Sequence, residues 1–168
     1  MVKHSGNKMN TRVHLKELAR HVGNGLTLYT DVDSRIGREI GTPKGALKHL
    51  FGFGISYREL RKLAEDLVPI WDKIGTDVET FRIDYGASLP KQEADYLCIL
   101  IRYVNAVRKA VSTLVEFQRL IHKRSEGEVV TIETSDQKLL EYKNVVAIYL
   151  EIGGELMAAW RYIDRPAP

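Results

Sequence analysis

The chain has 168 residues, 44% of them hydrophobic and 28% charged, with a formal net charge of +3. This combination is typical of one soluble globular domain, and we expect no membrane contact because no apolar run approaches the roughly 18 residues that cross a bilayer. The only cysteine, Cys98, cannot form a disulfide within the chain, and the first residues lack the apolar segment of a secretory signal, so we expect a cytoplasmic protein.

The first predicted element is an amphipathic helix over residues 11–22, "TRVHLKELARHV", which the glycines of the following "GNGLTLYTD" break. One face of this helix carries His14, Glu17 and His21, and these residue types bind zinc or iron. A metal site needs a further ligand from elsewhere, and the sequence offers no matching His or Cys pair. We therefore interpret this face as solvated polar surface and expect neither a bound metal nor a cofactor.

The next segment, "RIGREIGTPKGALKHLF" at residues 35–51, has the residue order of two short helices that meet at a turn. Gly37 supplies a small residue where the helices cross, and Gly41 allows the turn between them. Thr42 is a good N-cap for the second helix, and Pro43 suits its first position. The segment thus resembles helix-turn-helix DNA-binding domains.

The resemblance implies that this segment contacts double-stranded DNA. The implied contact residues are Arg35, Arg38, Thr42, Lys44, Lys48 and His49. The charge distribution agrees, because residues 1–62 carry 12 Lys and Arg against 5 Asp and Glu, whereas the rest carries 13 against 17. Gly45 departs from the pattern, since glycine weakens a recognition helix. The alternative interpretation is a plain corner between two helices that contacts no DNA.

A capping box at Ser56 and Glu59 predicts the start of the next helix. Its apolar side continues beyond residue 70, and Pro69 is expected to kink it or interrupt its hydrogen bonding. Apolar residues then alternate in "TFRIDYG", so a short strand is possible over residues 80–86.

Two long helices dominate the second half of the chain. Residues 91–124 are apolar on several sides, which indicates a central helix that buries Cys98 as a small hydrophobic residue. The β-branched run "VVTIET" at 129–134 could form a second short strand, and Ser135 is expected to cap the last helix. That helix has an apolar seam at alternating spacings of three and four, formed by Leu139, Tyr142, Val146, Tyr149, Gly153, Leu156, Trp160 and Ile163. Such a seam predicts a partner helix, and we expect a homodimer.

These elements predict an all-α protein: a helical bundle built on the two long C-terminal helices, with a shorter-helix N-terminal part and at most a few short strands. We expect a single helical domain over residues 1–168, with a basic subregion at 10–55 and the bundle at 56–164. No nucleophile elbow, phosphate loop or reactive cysteine is present, so we predict no enzyme and identify no small-molecule ligand. Two functions stay open: a DNA-binding regulator with a dimerising bundle, and a non-enzymatic adaptor or assembly protein that binds a protein partner and no DNA.

Overall fold

The structure, a computed structural model, describes the backbone of residues 5–40 and 56–164 and the side chains of residues 11–39 and 56–164. Within these ranges it has four α-helices and no strand: α1 (Ser5–Ile40), α2 (Tyr57–Tyr85), α3 (Lys91–Ser125) and α4 (Ile132–Ile163). A 3₁₀ turn at Gly86–Ser88 joins α2 to α3. The prediction of an all-α helical bundle is confirmed.

The helices run alternately up and down, as contacts between sequential neighbours show. His14 near the start of α1 meets Tyr85 at the end of α2, with their ring centroids 6.0 Å apart. Ion pairs connect α2 to α3 and α3 to α4 in the same antiparallel order: Glu65–Arg119, Asp72–Arg108, Arg102–Glu155 and Glu116–Lys138. Each helix therefore packs antiparallel to the one before it.

The core lies along α3, which packs against the other three helices. Leu100, Val104, Val107 and Ala110 are completely inaccessible to solvent, and Trp71 of α2 is 1% exposed. A helix buried on several sides has apolar residues around most of its circumference. The prediction that residues 91–124 form a central helix is thus confirmed, but Cys98 lies on the exposed side of α3, so its predicted burial was wrong.

The helix α1 continues through Gly23 and Gly25, where a break was predicted. Its buried residues Leu15, Val22, Tyr29 and Ile36 recur every seven residues on both sides of the glycines. Two glycines cost roughly 2 kcal/mol in helix propensity, and burial of this continuous apolar face outweighs that cost. The N-terminal part is therefore one 36-residue helix up to Ile40, rather than a short helix followed by a loop.

Both predicted strands were wrong: the first segment is helical, and the second is an exposed connection followed by the start of α4. Residues 80–85 complete α2, where Phe81 is buried with the rest of the apolar side and Ile83 is 68% exposed. In the second segment Val129 is 99% exposed, and Ile132 already begins α4. The N-cap of α4 is Thr131, whose hydroxyl accepts a 3.1 Å hydrogen bond from the Thr134 N–H, so the cap predicted at Ser135 was also misplaced.

Pro69 lies inside α2 without ending it. The residue lies on the exposed side of α2, so its missing backbone donor is not in the buried core. The helix therefore stays continuous from Tyr57 to Tyr85.

Across the described residues, none of the four helices has an apolar stretch sufficient to cross a bilayer.

Candidate binding groove

The residues predicted to contact DNA are only partly described. Arg35 and Arg38 lie on the last turns of α1 and are exposed, and the Arg38 Nε donates a 3.2 Å hydrogen bond to the Ser34 carbonyl. Thr42, Lys44, Lys48 and His49 lie outside the described residues. A Cβ added to Gly37 would meet no described atom within 4 Å, so nothing among the described residues crosses α1 at this small residue.

The residues considered for a metal do not converge. Glu17 and His21 are exposed, whereas the ring of His14 packs edge-on against Tyr85. Among the residues that the structure describes, no group of three or more His, Cys, Asp or Glu side chains could hold a metal ion. The expectation of a metal-free protein stays a prediction.

The side of the bundle between α1 and α4 is open in its middle, because these two helices approach each other closely at few points. Near the start of α1, the Arg12 Nε donates a 3.1 Å hydrogen bond to the Ile163 carbonyl, and Lys16 pairs with Asp164 at 2.9 Å. We name these two interactions together the arginine contact.

At the other end of the opening a buried tyrosine pair joins the same two helices. The hydroxyls of Tyr29 and Tyr142 are 2.5 Å apart, and the Tyr142 hydroxyl donates to Asp33 Oδ1 at 2.7 Å. Because the Tyr142 proton is used for Asp33, Tyr29 must be the donor to Tyr142. We name these three residues the tyrosine contact.

Between these two contacts lies a cavity of about 550 Å³, which we name the α1–α4 groove. Its floor is formed by three side chains of α3: Tyr96, Leu100 and Tyr103. Its walls include Ala19, Gly23 and Leu26 of α1 and Leu150, Gly154 and Met157 of α4. The volume is within the range of sites that hold organic ligands or partner side chains.

Two glycines that line the groove have open space where a side chain would begin. A Cβ added to Gly23 or Gly154, on opposite walls, would meet no described atom within 4 Å. Larger side chains at these two positions would have room to occupy the groove themselves. Gly153 differs, since its Cβ would lie 3.2 Å from the Tyr103 ring, so this glycine permits close packing of α4 on α3.

Two largely buried tyrosines on the floor have hydroxyls that make no hydrogen bond with the described residues. Tyr96 is 2% exposed and Tyr103 is 5% exposed. Burial raises the pKa of Tyr103 to about 12 and also raises the pKa of Tyr96, so both hydroxyls stay protonated at neutral pH. Neither hydroxyl oxygen is among the fully buried side-chain atoms that lack a partner, so each stays accessible and can bond to an occupant of the groove.

One end of the groove is positively charged. Lys16 and Arg20 line it there, and the Lys16 Nζ lies 6.0 Å from the centroid of the Trp160 ring. Arg20 is exposed and makes no ion pair with any residue that the structure describes.

On the opposite wall the apolar side chains of Leu150 and Met157 are 59% and 67% exposed.

The sequence interpretation missed this groove but came close to it. The predicted apolar seam of α4 is the side that packs within the chain: Tyr142, Tyr149 and Ile163 are buried, and Leu156 and Trp160 are partly buried. Leu150, Gly154 and Met157 lie beside that seam and were not selected. The adjacent glycines Gly153 and Gly154 inside a helix were the available signal, because each has a substantial cost there.

The sequence matches no protein-family model, and comparison with curated proteins and with solved structures found no match.

Proposed function

We propose that the protein is a non-enzymatic helical adaptor that binds one helix of a partner protein in the α1–α4 groove. The observation that carries this proposal is the open side of the bundle, where the apolar floor on α3 lies between two walls that include glycine. A helix whose apolar side chains enter such a groove is a common mode of peptide recognition.

The dimensions of the groove favour a helix. Its α1 wall extends from Lys16 to Thr30, about 21 Å at 1.5 Å per residue, which equals about 14 residues of a partner helix. The groove is open along its length between the two contacts, and Ala19, Gly23 and Gly154 on its walls permit close approach of a backbone. An amphipathic helix with apolar residues at positions i, i+3, i+4 and i+7 has the required shape.

Exposed apolar side chains give such a partner a source of affinity. Leu150 and Met157 are more than half exposed on the α4 wall. Complete burial of a side chain of this size contributes on the order of 1.5 to 3 kcal/mol. An occupant that covers both therefore gains affinity from two adjacent residues.

The experiment uses a designed 14-residue amphipathic helix with a leucine stripe as the probe. The variant Gly154→Phe fills the groove from the α4 wall, and we expect it to weaken binding of this peptide at least about tenfold. Gly37→Phe is the matched control, because Gly37 is also a helical glycine with open space at its Cβ but does not line the groove. Circular dichroism checks that both variants fold. A parent protein that fails to bind the peptide, or a Gly154→Phe variant that binds it like the parent, would contradict the proposal.

A DNA-binding regulator is the second candidate function, supported by the basic balance of residues 1–62 and by the exposed Arg35 and Arg38. If DNA is bound, Lys44 and Lys48 are expected to meet phosphates. Replacing both with Ala should weaken binding to all sequences and reduce the slope of log affinity against log salt by about 2. Lys62→Ala with Lys73→Ala is a control of equal charge on α2. Mobility shifts at several salt concentrations measure this, and absence of binding at low salt would end the candidate. For either function we propose a cytoplasmic location.

A further inference from the structure

We infer that the partner helix carries carboxylates at one end, and that this end lies over Lys16 and Arg20. The inference rests on the proposed function, because it names the chemistry of the helix that occupies the same groove.

The two ends of the groove differ in charge. Lys16 and Arg20 are the only charged residues that line it within the described part of the chain, and both lie toward the arginine contact. At the opposite end the lining is formed by Thr30, Tyr149 and Leu150, none of them charged. A ligand with charge at one end alone is therefore matched to this groove, and the charge must be negative.

Arg20 is the more available of the two cations. Lys16 already pairs with Asp164 at 2.9 Å, whereas Arg20 is exposed and has no ion pair with a described residue. The guanidinium group can donate two parallel hydrogen bonds to one carboxylate, which fixes the orientation of the bound group. We therefore place the principal contact at Arg20.

Tyr96 supplies a second donor at the same end. Its ring lies 5.6 Å from that of Trp160, which is the aromatic residue beneath Lys16. The Tyr96 hydroxyl has no hydrogen-bond partner among the described residues and can donate to an acceptor that enters the groove. An ionised carboxylate has only acceptor sites, so it is a suitable partner for either donor.

The experiment compares three peptides that share the leucine stripe and differ in two residues at one end: Glu-Glu, Gln-Gln or Lys-Lys. We expect the parent protein to bind them in that order, with about two- to fivefold between successive peptides, as for ion pairs at an exposed rim. The variant Arg20→Glu should reverse the order. Arg35→Glu is the matched control on the same helix, because Arg35 does not line the groove, and it should keep the order of the parent.

A nitroxide label tests the placement independently. Attached at the Glu-Glu end of the peptide, it should quench the fluorescence of Trp160 more strongly than when attached at the other end. The variant Trp160→Phe gives the background fluorescence of Trp71. Equal affinity for the three peptides, or stronger quenching from the opposite end, would overturn the inference while the adaptor function stood. No binding of any peptide would overturn both.

Discussion

Gly23 and Gly25 lie two residues apart on α1, but their surroundings are opposite. A Cβ on Gly23 would meet no described atom within 4 Å, whereas a Cβ on Gly25 would overlap the end of the Ile74 side chain and lie 3.5 Å from the Trp71 ring. We predict that Gly23→Leu leaves stability equal to the parent or higher, because leucine gains roughly 1 kcal/mol of helix propensity. Gly25→Leu should cost about 1 to 3 kcal/mol through overpacking between α1 and α2. Urea unfolding measures the stability of both variants. Equal stabilities of the two variants would contradict this prediction.

The buried tyrosines predict a loss of stability in alkali. Burial raises the pKa of Tyr103 from 10.0 to about 12, and burial likewise raises the pKa values of Tyr29, Tyr96, Tyr142 and Tyr149. Above pH 10 the unfolded chain releases these protons while the folded protein retains them. The stabilisation from Tyr103 is therefore complete below pH 10 and decreases as the pH rises toward 12, by up to about 1.4 kcal/mol per pH unit, and the other four tyrosines change stability in the same direction.

Urea midpoints at pH 8, 10 and 11 measure this effect, and absorbance near 295 nm reports phenolate formation. Tyr103→Phe should make the dependence on pH shallower. Equal midpoints at pH 8 and pH 11 would show that these hydroxyls ionise as easily in the folded protein as in the unfolded chain.

At the scale of single elements, two helix starts depend on side-chain caps. The Ser56 hydroxyl accepts a 3.2 Å hydrogen bond from the Glu59 N–H, and the Ser56 N–H donates to Glu59 Oε2 at 2.9 Å. We predict that Ser56→Ala and Thr131→Ala each lower the free energy of unfolding by about 1 kcal/mol. Ser112→Ala is the control, because Ser112 is exposed inside α3 and caps nothing. Thermal or urea unfolding gives the free energy of unfolding of the three variants. A cap variant that is as stable as Ser112→Ala would show that this cap does not stabilise its helix.

The helices that could be predicted from the sequence are those with long periodic patterns of apolar residues. The heptad spacing of α4 and the apolar circumference of α3 persist over many turns, so both helices were predicted within a few residues. Short signals were misleading: three alternating residues at 81, 83 and 85 indicated a strand, although Phe81 also continues the helical spacing of Ile74 and Val78. The glycines of α1 indicated a break for the same reason, since local propensity does not include the burial of Tyr29 and Ile36 beyond them.

The groove could not be predicted because it belongs to no single element. It arises where α1 and α4, which are distant in sequence, diverge between two contacts. Sequence periodicity identifies the buried side of each helix but not the distance between their axes. Arg20 and Met157 therefore looked like ordinary surface residues, and the helix-turn-helix hypothesis for residues 35–51 drew attention to a different part of α1.

At the scale of the whole molecule, the homodimer stays a prediction, but the structure changes its basis. The seam of α4 packs within the chain, so a dimer would instead use exposed apolar residues on other sides of α4, such as Leu140 and Ile148, which are 59% and 51% exposed. We predict a dimer at micromolar concentration that Leu140→Glu with Ile148→Glu converts to a monomer. Ile83→Glu on α2, where Ile83 is 68% exposed, should leave the dimer intact. Sedimentation equilibrium decides, and a monomeric parent would contradict the prediction.

The arginine contact joins residues 151 positions apart, because Arg12 near the start of α1 holds the carbonyl of Ile163 at the end of α4. A pulling force applied at residues 5 and 164 would act on this contact first and peel α1 from α4 from that end. The tyrosine contact lies further along the same two helices, so it would bear the load only after the groove had begun to widen. A partner helix that touches both walls would resist this widening, and its presence would raise the force needed to load the tyrosine contact.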